Sequence, residues 1–149
     1  MEKTLLLTNF AATWYLVGLI WMVQQVHYPL FDRVGQTEFP RYASDHGRLI
    51  TPIVAVPMLV ELLTAGWLVL LSGKTETPTA VLWLGLALVI VIWLTTAFVS
   101  VPCHQRLGSG FDAAAYNRLV ASNWIRTIAW SVRGLLTGWC IWRLLTTTS

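Results

Sequence analysis

The stretch ITPIVAVPMLVELLTAGWLVLL, Ile50–Leu71, holds 22 residues and a single charge, Glu61. As a helix it spans about 33 Å at about 1.5 Å per residue, enough for a hydrocarbon core of about 30 Å. Three more windows of that length occur in the chain: Leu5–Val26 and Ala80–Val101 carry no charge, and Trp124–Leu145 carries Arg126, Arg133 and Arg143. Backbone groups in lipid must be satisfied within their own segment, so all four windows are expected to be helices. Leu5–Val26 lacks the basic n-region and small-residue cleavage site of a signal peptide, and it is too long for an h-region. The expected fold is all-α: an integral membrane four-helix bundle forming one domain over residues 1–149. Its helices are expected at about 5–26, 45–71, 80–101 and 123–145.

Composition points the same way. Of 149 residues, 56% are hydrophobic and only 11% charged, and the mean hydropathy is +0.62. Water-soluble domains carry about a quarter charged residues, so a soluble enzyme and a disordered tail are excluded. The net charge of +3 comes without any basic run, which excludes a nucleic-acid partner. Cys103 and Cys140 fall at opposite ends of this layout. A disulfide needs Cα atoms within about 7 Å, so none is expected between them.

The connections are uneven. Residues 72–79 make a short polar turn, whereas 27–44 and 102–122 are long, rich in Arg, Asp, His and aromatics, and share one face of the four-span layout. Long loops in a small bundle carry function more often than short turns do. That face holds Arg33, Arg41, Arg48, Arg106, Arg118 and Arg126, and the opposite face Lys3, Lys74 and Arg143. The positive-inside bias then puts the long loops in the cytoplasm and the termini on the other side.

The two hairpins look alike. Ser44-Asp45-His46-Gly47-Arg48-Leu49-Ile50 and Ser122-Asn123-Trp124-Ile125-Arg126-Thr127-Ile128 share the pattern Ser-[Asp/Asn]-x-x-Arg-x-Ile. Each follows a Phe-Asp pair, Phe31-Asp32 or Phe111-Asp112, and each hairpin has a histidine after its first helix, His27 or His104. An internal repeat of this kind relates parallel hairpins by an axis along the membrane normal. Ser44 and Ser122 are expected to be helix N-caps.

All three histidines, His27, His46 and His104, fall on the long-loop face and are the candidate metal ligands. Neutral imidazole is the commonest protein ligand for transition metals, and four-helix bundles build metal sites from inward-facing His and carboxylates. A Cu or Fe ion, or a bis-His haem, is the expected cofactor. Without a metal, the same histidines are ordinary interfacial residues. Glu61 stands near the middle of its window, where a carboxylate costs roughly 2.5–3.5 kcal/mol to insert. It is the candidate catalytic group, as a ligand or proton acceptor. The structural alternative is a buried ion pair with Arg133, since the two lie at about 16 and 14 Å depth. Arg126, Arg133 and Asn123 are candidate substrate-binding groups, together with the deep tryptophans Trp21, Trp93 and Trp130. Trp67, Trp83, Trp139 and Trp142 read as an interfacial belt.

The segments Gln25–Phe31, Pro57–Leu62 and Asn123–Thr127 resemble those of a group of uncharacterised small bacterial membrane proteins. More distantly, the layout is similar to the anthrone-oxygenase-like family of four-helix membrane proteins. The resemblance covers the whole chain in helix count and loop lengths and transfers no residue roles. It implies a bacterial inner-membrane location and oxidation of a flat polycyclic or phenolic substrate. The expected function is oxidoreduction of a hydrophobic small molecule at a metal or haem site under the long loops. The expected surroundings are a lipid bilayer and, optionally, further copies of the chain. The rival readings are a small carrier or channel, and an accessory subunit whose buried charges are merely paired.

Overall fold

Five α-helices account for most of the chain in the computed structural model, which describes residues 1–147: α1 (Glu2–Met22), α2 (Phe39–Leu70), α3 (Thr79–Thr95), α4 (Val101–Leu107) and α5 (Ala113–Thr147). No strand occurs among the described residues. α1 continues through a π-helical turn, Val23–His27, into a 3₁₀ turn, Tyr28–Arg33, and α3 continues through a second π-helical turn, Thr96–Ser100, into α4. Three helical segments, Glu2–Arg33, Phe39–Leu70 and Thr79–Leu107, are long and apolar enough to cross a membrane. α5 is the fourth long helix, at 35 residues.

The connections expected at 27–44 and 102–122 are mostly helix instead. Non-helical backbone is confined to about residues 34–38 and 108–112. Pro29, Pro40 and Pro102 fall in these stretches, and the structure absorbs each one. Proline lacks an N–H and its ring crowds the carbonyl four residues back. The helix widens into a π turn ending two residues before Pro29 and again two residues before Pro102, and so continues. Pro40 sits in the first turn of α2, where the missing N–H would have had no partner. Ser44 and Ser122 therefore lie inside α2 and α5 and cap neither. Ser122 donates its hydroxyl to Leu119 O at 3.2 Å. Asp112 caps α5 in its place, accepting the Ala115 N–H at 2.9 Å while Arg106 Nε lies 2.7 Å from its other oxygen. Those donors hold the Asp112 carboxyl below its ordinary range, the Ala115 N–H first among them.

α1 packs between α2 and α5, and α3 closes the ring against the same two helices. Gly134 permits the close approach of α5 to α1, because a Cβ there would lie 3.2 Å from Val17 Cγ2. Buried apolar side chains form three layers along the bundle. Phe31, Phe39, Leu107 and Leu119 lie at the α4 end, Leu16, Ile92 and Trp130 in the middle, and Leu6, Leu68 and Cys140 at the termini. Cys103 and Cys140 are both buried and free. The outside is as apolar as the inside: Leu63, Leu70, Phe98 and Leu135 are each more than two-thirds exposed. The inside, by contrast, holds Asn9, Thr13, Gln24, Glu61, Ser100, Asn123, Arg126, Thr127 and Arg133.

Candidate functional site

Three elements bring the histidines together. His27 projects from the π turn after α1, His46 from the second turn of α2, and His104 from α4. His27 Nε2 and His46 Nδ1 lie 2.9 Å apart in a hydrogen bond that one ring donates and the other accepts. The His46 and His104 ring centres are 5.5 Å apart. His104 Nε2 is 3.2 Å from the Tyr28 hydroxyl, and Tyr116 donates its hydroxyl to the Tyr28 carbonyl at 3.2 Å. Phe31 organises the cluster. Fully buried, it stands edge-on to His27 at 5.0 Å and to His46 at 5.3 Å.

The histidines thus converge, as the sequence led us to expect, but they do so as a hydrogen-bonded cluster. The described residues include no group of three His, Cys, Asp or Glu arranged to hold a metal ion. Catalytic zinc-type sites use three protein ligands, whereas here one nitrogen of His27 faces one of His46 and His104 turns to a phenol.

Beneath the cluster lies a cavity of about 230 Å³ reached by α1, α2, α3, α4 and α5. Leu16, Ile20, Val54 and Met58 supply apolar wall, and Tyr28, His46, His104, Ser100 and Arg126 form a polar end. Arg126 is 6% exposed. Its Nη1 donates to Ser100 Oγ at 2.9 Å, and its guanidinium lies over the Trp130 ring at 5.3 Å. Arg126 Nε and Trp93 Nε1 are buried N–H groups with no hydrogen-bond partner, and both residues line the cavity.

A second polar layer lies deeper. Glu61, fully buried, accepts at Oε1 from the Thr13 hydroxyl at 2.7 Å and from Arg133 Nε at 2.8 Å, and at Oε2 from Trp130 Nε1 at 3.0 Å. Arg133 also donates to the Gly85 carbonyl, to Asn9 Oδ1 at 3.1 Å and to Thr13 Oγ1 at 3.3 Å. Asn9 Nδ2 returns to α2, donating to Glu61 O at 3.0 Å and Thr64 Oγ1 at 2.8 Å. The network joins α1, α2, α3 and α5 through saturated partners. The Glu61–Arg133 pair is therefore present as the structural alternative described it.

The expected substrate-binding residues divide. Trp93, Arg126 and Trp130 line the cavity; Trp21, Asn123 and Arg133 do not. Trp21 is 40% exposed on the outer side of α1, donating to Ser131 Oγ at 3.0 Å. Buried α1 positions follow Leu6, Asn9, Thr13, Leu16 and Ile20, a 3–4 spacing that leaves Trp14 and Trp21 outward. Asn123 donates to Gln24 Oε1 at 2.7 Å, tying α5 to the first π turn. Sequence reasoning missed Asn9, Thr13 and Phe31. The signal for the first two was available: two polar residues four apart within the uncharged window Leu5–Val26. No family model, curated protein or solved structure matches this chain, so the reading of the site rests on its own geometry.

Proposed function

We propose that this chain is an integral membrane protein of four spans that binds a hydrophobic small molecule in the cavity beneath the histidines and oxidises or reduces it there. The observation that carries the reading is the cavity itself: apolar wall, the two imidazoles of His46 and His104 and the Tyr28 phenol at one end, and buried N–H donors with no protein acceptor. Ligand sites characteristically combine apolar walls with a few convergent polar groups.

The fourth span rests on where the charges of α5 go. Arg126 and Arg133 lower its apolar character, and both are turned into the bundle, 6% and 2% exposed. Its outward positions Ile125, Ile128, Val132 and Leu135 are apolar, which suits lipid. The internal repeat is supported by the matching π turns before Pro29 and Pro102, although Arg48, the counterpart of Arg126, is an exposed partner of Asp45. The lysine and arginine distribution favours long connections in the cytoplasm of a bacterial cell.

Oxidation of a phenol or hydroquinone removes protons together with electrons. His46, His104 and Tyr28 line the cavity as the groups able to accept and pass those protons, with His27 behind His46. Among the described residues no three His, Cys, Asp or Glu are arranged to hold the expected Cu or Fe, so we assign the two electrons that leave a hydroquinone with its two protons to two equivalents of a separate one-electron acceptor. An accessory subunit leaves the unpartnered donors of Arg126 and Trp93 unexplained.

The test uses purified protein in nanodiscs with decylhydroquinone and an added one-electron acceptor. Turnover above the protein-free rate, lost when Val54→Trp fills the cavity and when His104→Ala removes a proton acceptor, supports the reading. Turnover indifferent to both variants overturns it. Elemental analysis and a visible spectrum of the same sample test the redox assignment, and stoichiometric metal or haem would reject it.

A further inference from the structure

α5 carries two buried arginines seven residues apart, and they are treated differently. Arg133 has the Glu61 carboxylate at 2.8 Å. Arg126, also buried, has no carboxylate within ion-pair distance among the described residues. Its polar neighbours are the Ser100 hydroxyl, the Tyr28 phenol and the His104 imidazole, none of them a carboxylate, and its Nε has no acceptor. A buried cation without a counter-charge is costly. On the same cavity wall the indole N–H of Trp93 is also unpartnered. We propose that the cavity takes an anion, a hydrophobic carboxylate or phenolate whose oxygen charge is neutralised by Arg126 and accepts a second hydrogen bond from Trp93.

The proposal rests on the cavity being a binding site and names what occupies it. Arg126 is a planar donor suited to carboxylate oxygens, and Trp130 fixes it from the other side by lying under the guanidinium while its own N–H is used by Glu61. A cavity of about 230 Å³ holds about eight groups the size of a water molecule. That is room for the charged head with a ring or the first carbons of a chain, and the cavity is open enough for the rest of a longer chain to extend out of it.

The experiment compares tritiated decanoate with tritiated decan-1-ol, at a pH where the acid is ionised, on the full chain in nanodiscs of zwitterionic lipid. Decanoate is expected to bind about 10- to 100-fold more tightly, the effect of a charge-assisted hydrogen bond. Arg126→Met should abolish that preference while leaving the alcohol bound. Trp93→Phe, which removes only the N–H and a small part of the ring, should weaken decanoate selectively and serves as the second variant if Arg126→Met fails to fold. Equal affinity of the wild-type protein for acid and alcohol overturns the anion while the cavity reading stands. Binding of neither probe overturns both. Loss of decanoate binding when phosphatidylglycerol replaces the zwitterionic lipid gives the site to a lipid phosphate and overturns the free anion.

Discussion

The Glu61–Arg133 pair should behave as one unit whose halves are worth less apart than together. Glu61 is fully buried and Arg133 is 2% exposed, so neither charge can turn to water when its partner is removed. Breaking such a pair costs about 3–5 kcal/mol, most of it from the uncompensated charge left behind. The structure orders the two halves within that range. In Glu61→Gln, Arg133 keeps three neutral acceptors, the Gly85 carbonyl, Asn9 and Thr13, so the loss should fall near the lower end. In Arg133→Met, the carboxylate keeps only the Thr13 hydroxyl and the Trp130 N–H, so the loss should fall near the upper end. The double variant removes both charges and should lose far less than the sum, with a coupling of up to about 3 kcal/mol. Reversible unfolding in mixed detergent micelles, followed by helical circular dichroism, measures all four proteins. Additive losses, or Glu61→Gln costing more than Arg133→Met, would refute the reasoning.

Gly85→Ala should destabilise the bundle by about 1–2 kcal/mol despite the helix propensity gained, because the new Cβ would lie 3.3 Å from Arg133 Nη1 and Glu61, Asn9 and Thr13 hold that guanidinium in place; an unchanged unfolding midpoint would contradict it. Phe31→Ala should cost about 3–5 kcal/mol and loosen the histidine cluster, visible as broadened imidazole resonances; sharp, unshifted histidine signals would dissociate the ring from the cluster. Cysteines placed at Lys74 and Ser109, both exposed, should label from opposite sides of intact cells, and equal labelling would remove the four-span arrangement. The Asp112 cap, whose carboxyl is held below its ordinary value by the Ala115 N–H, contributes above the unfolded carboxylate pKa and is lost as pH falls through the folded one. Acidification should therefore loosen the start of α5 in the wild type and leave Asp112→Ala unchanged. Hydrogen exchange at Ala115 reads this directly, and pH-independent protection would rule out the cap.

The helices were legible because each of the four windows is long and mostly apolar, the last one least so, with Arg126, Arg133 and Arg143 in it. Their ends were not. Pro29 and Pro102 lie just past the ends of the apolar windows, where a proline can stop a helix, yet a π turn lets each pass without ending it, and nothing in a local window distinguishes the two outcomes. The convergence of His27, His46 and His104 was legible from topology alone, since three helix ends fall on one face. Their mutual hydrogen bonding was not, because it depends on Phe31 and Tyr28, whose packing role has no sequence signature. The Glu61–Arg133 pair was legible from matched depth. Its neighbours Asn9 and Thr13 were not, because an uncharged polar residue in an apolar window is a weaker signal than a charge at a matched depth.

The burial of Asn9 and Thr13 has a physical cause that reaches beyond one helix. In water, apolar side chains mark the inside, and an aromatic stripe is a reasonable pointer to a core. Lipid tails are as apolar as leucine, so in a bilayer apolarity carries no information about which face is buried. The exposed Trp14, Trp21, Trp83 and Trp142 of this chain sit as comfortably outside as Trp130 does inside. Polar groups are the ones that must turn inward, since each needs a partner that lipid does not provide. Read by that rule, Asn9, Thr13, Glu61, Ser100, Asn123, Arg126 and Arg133 trace the interior of the bundle directly, and all are buried. The rule also separates structure from function within the interior. Partners that saturate a buried charge, as around Glu61 and Arg133, account for its presence by themselves. A buried charge whose partners within the chain are neutral, as at Arg126, points to something the chain does not contain.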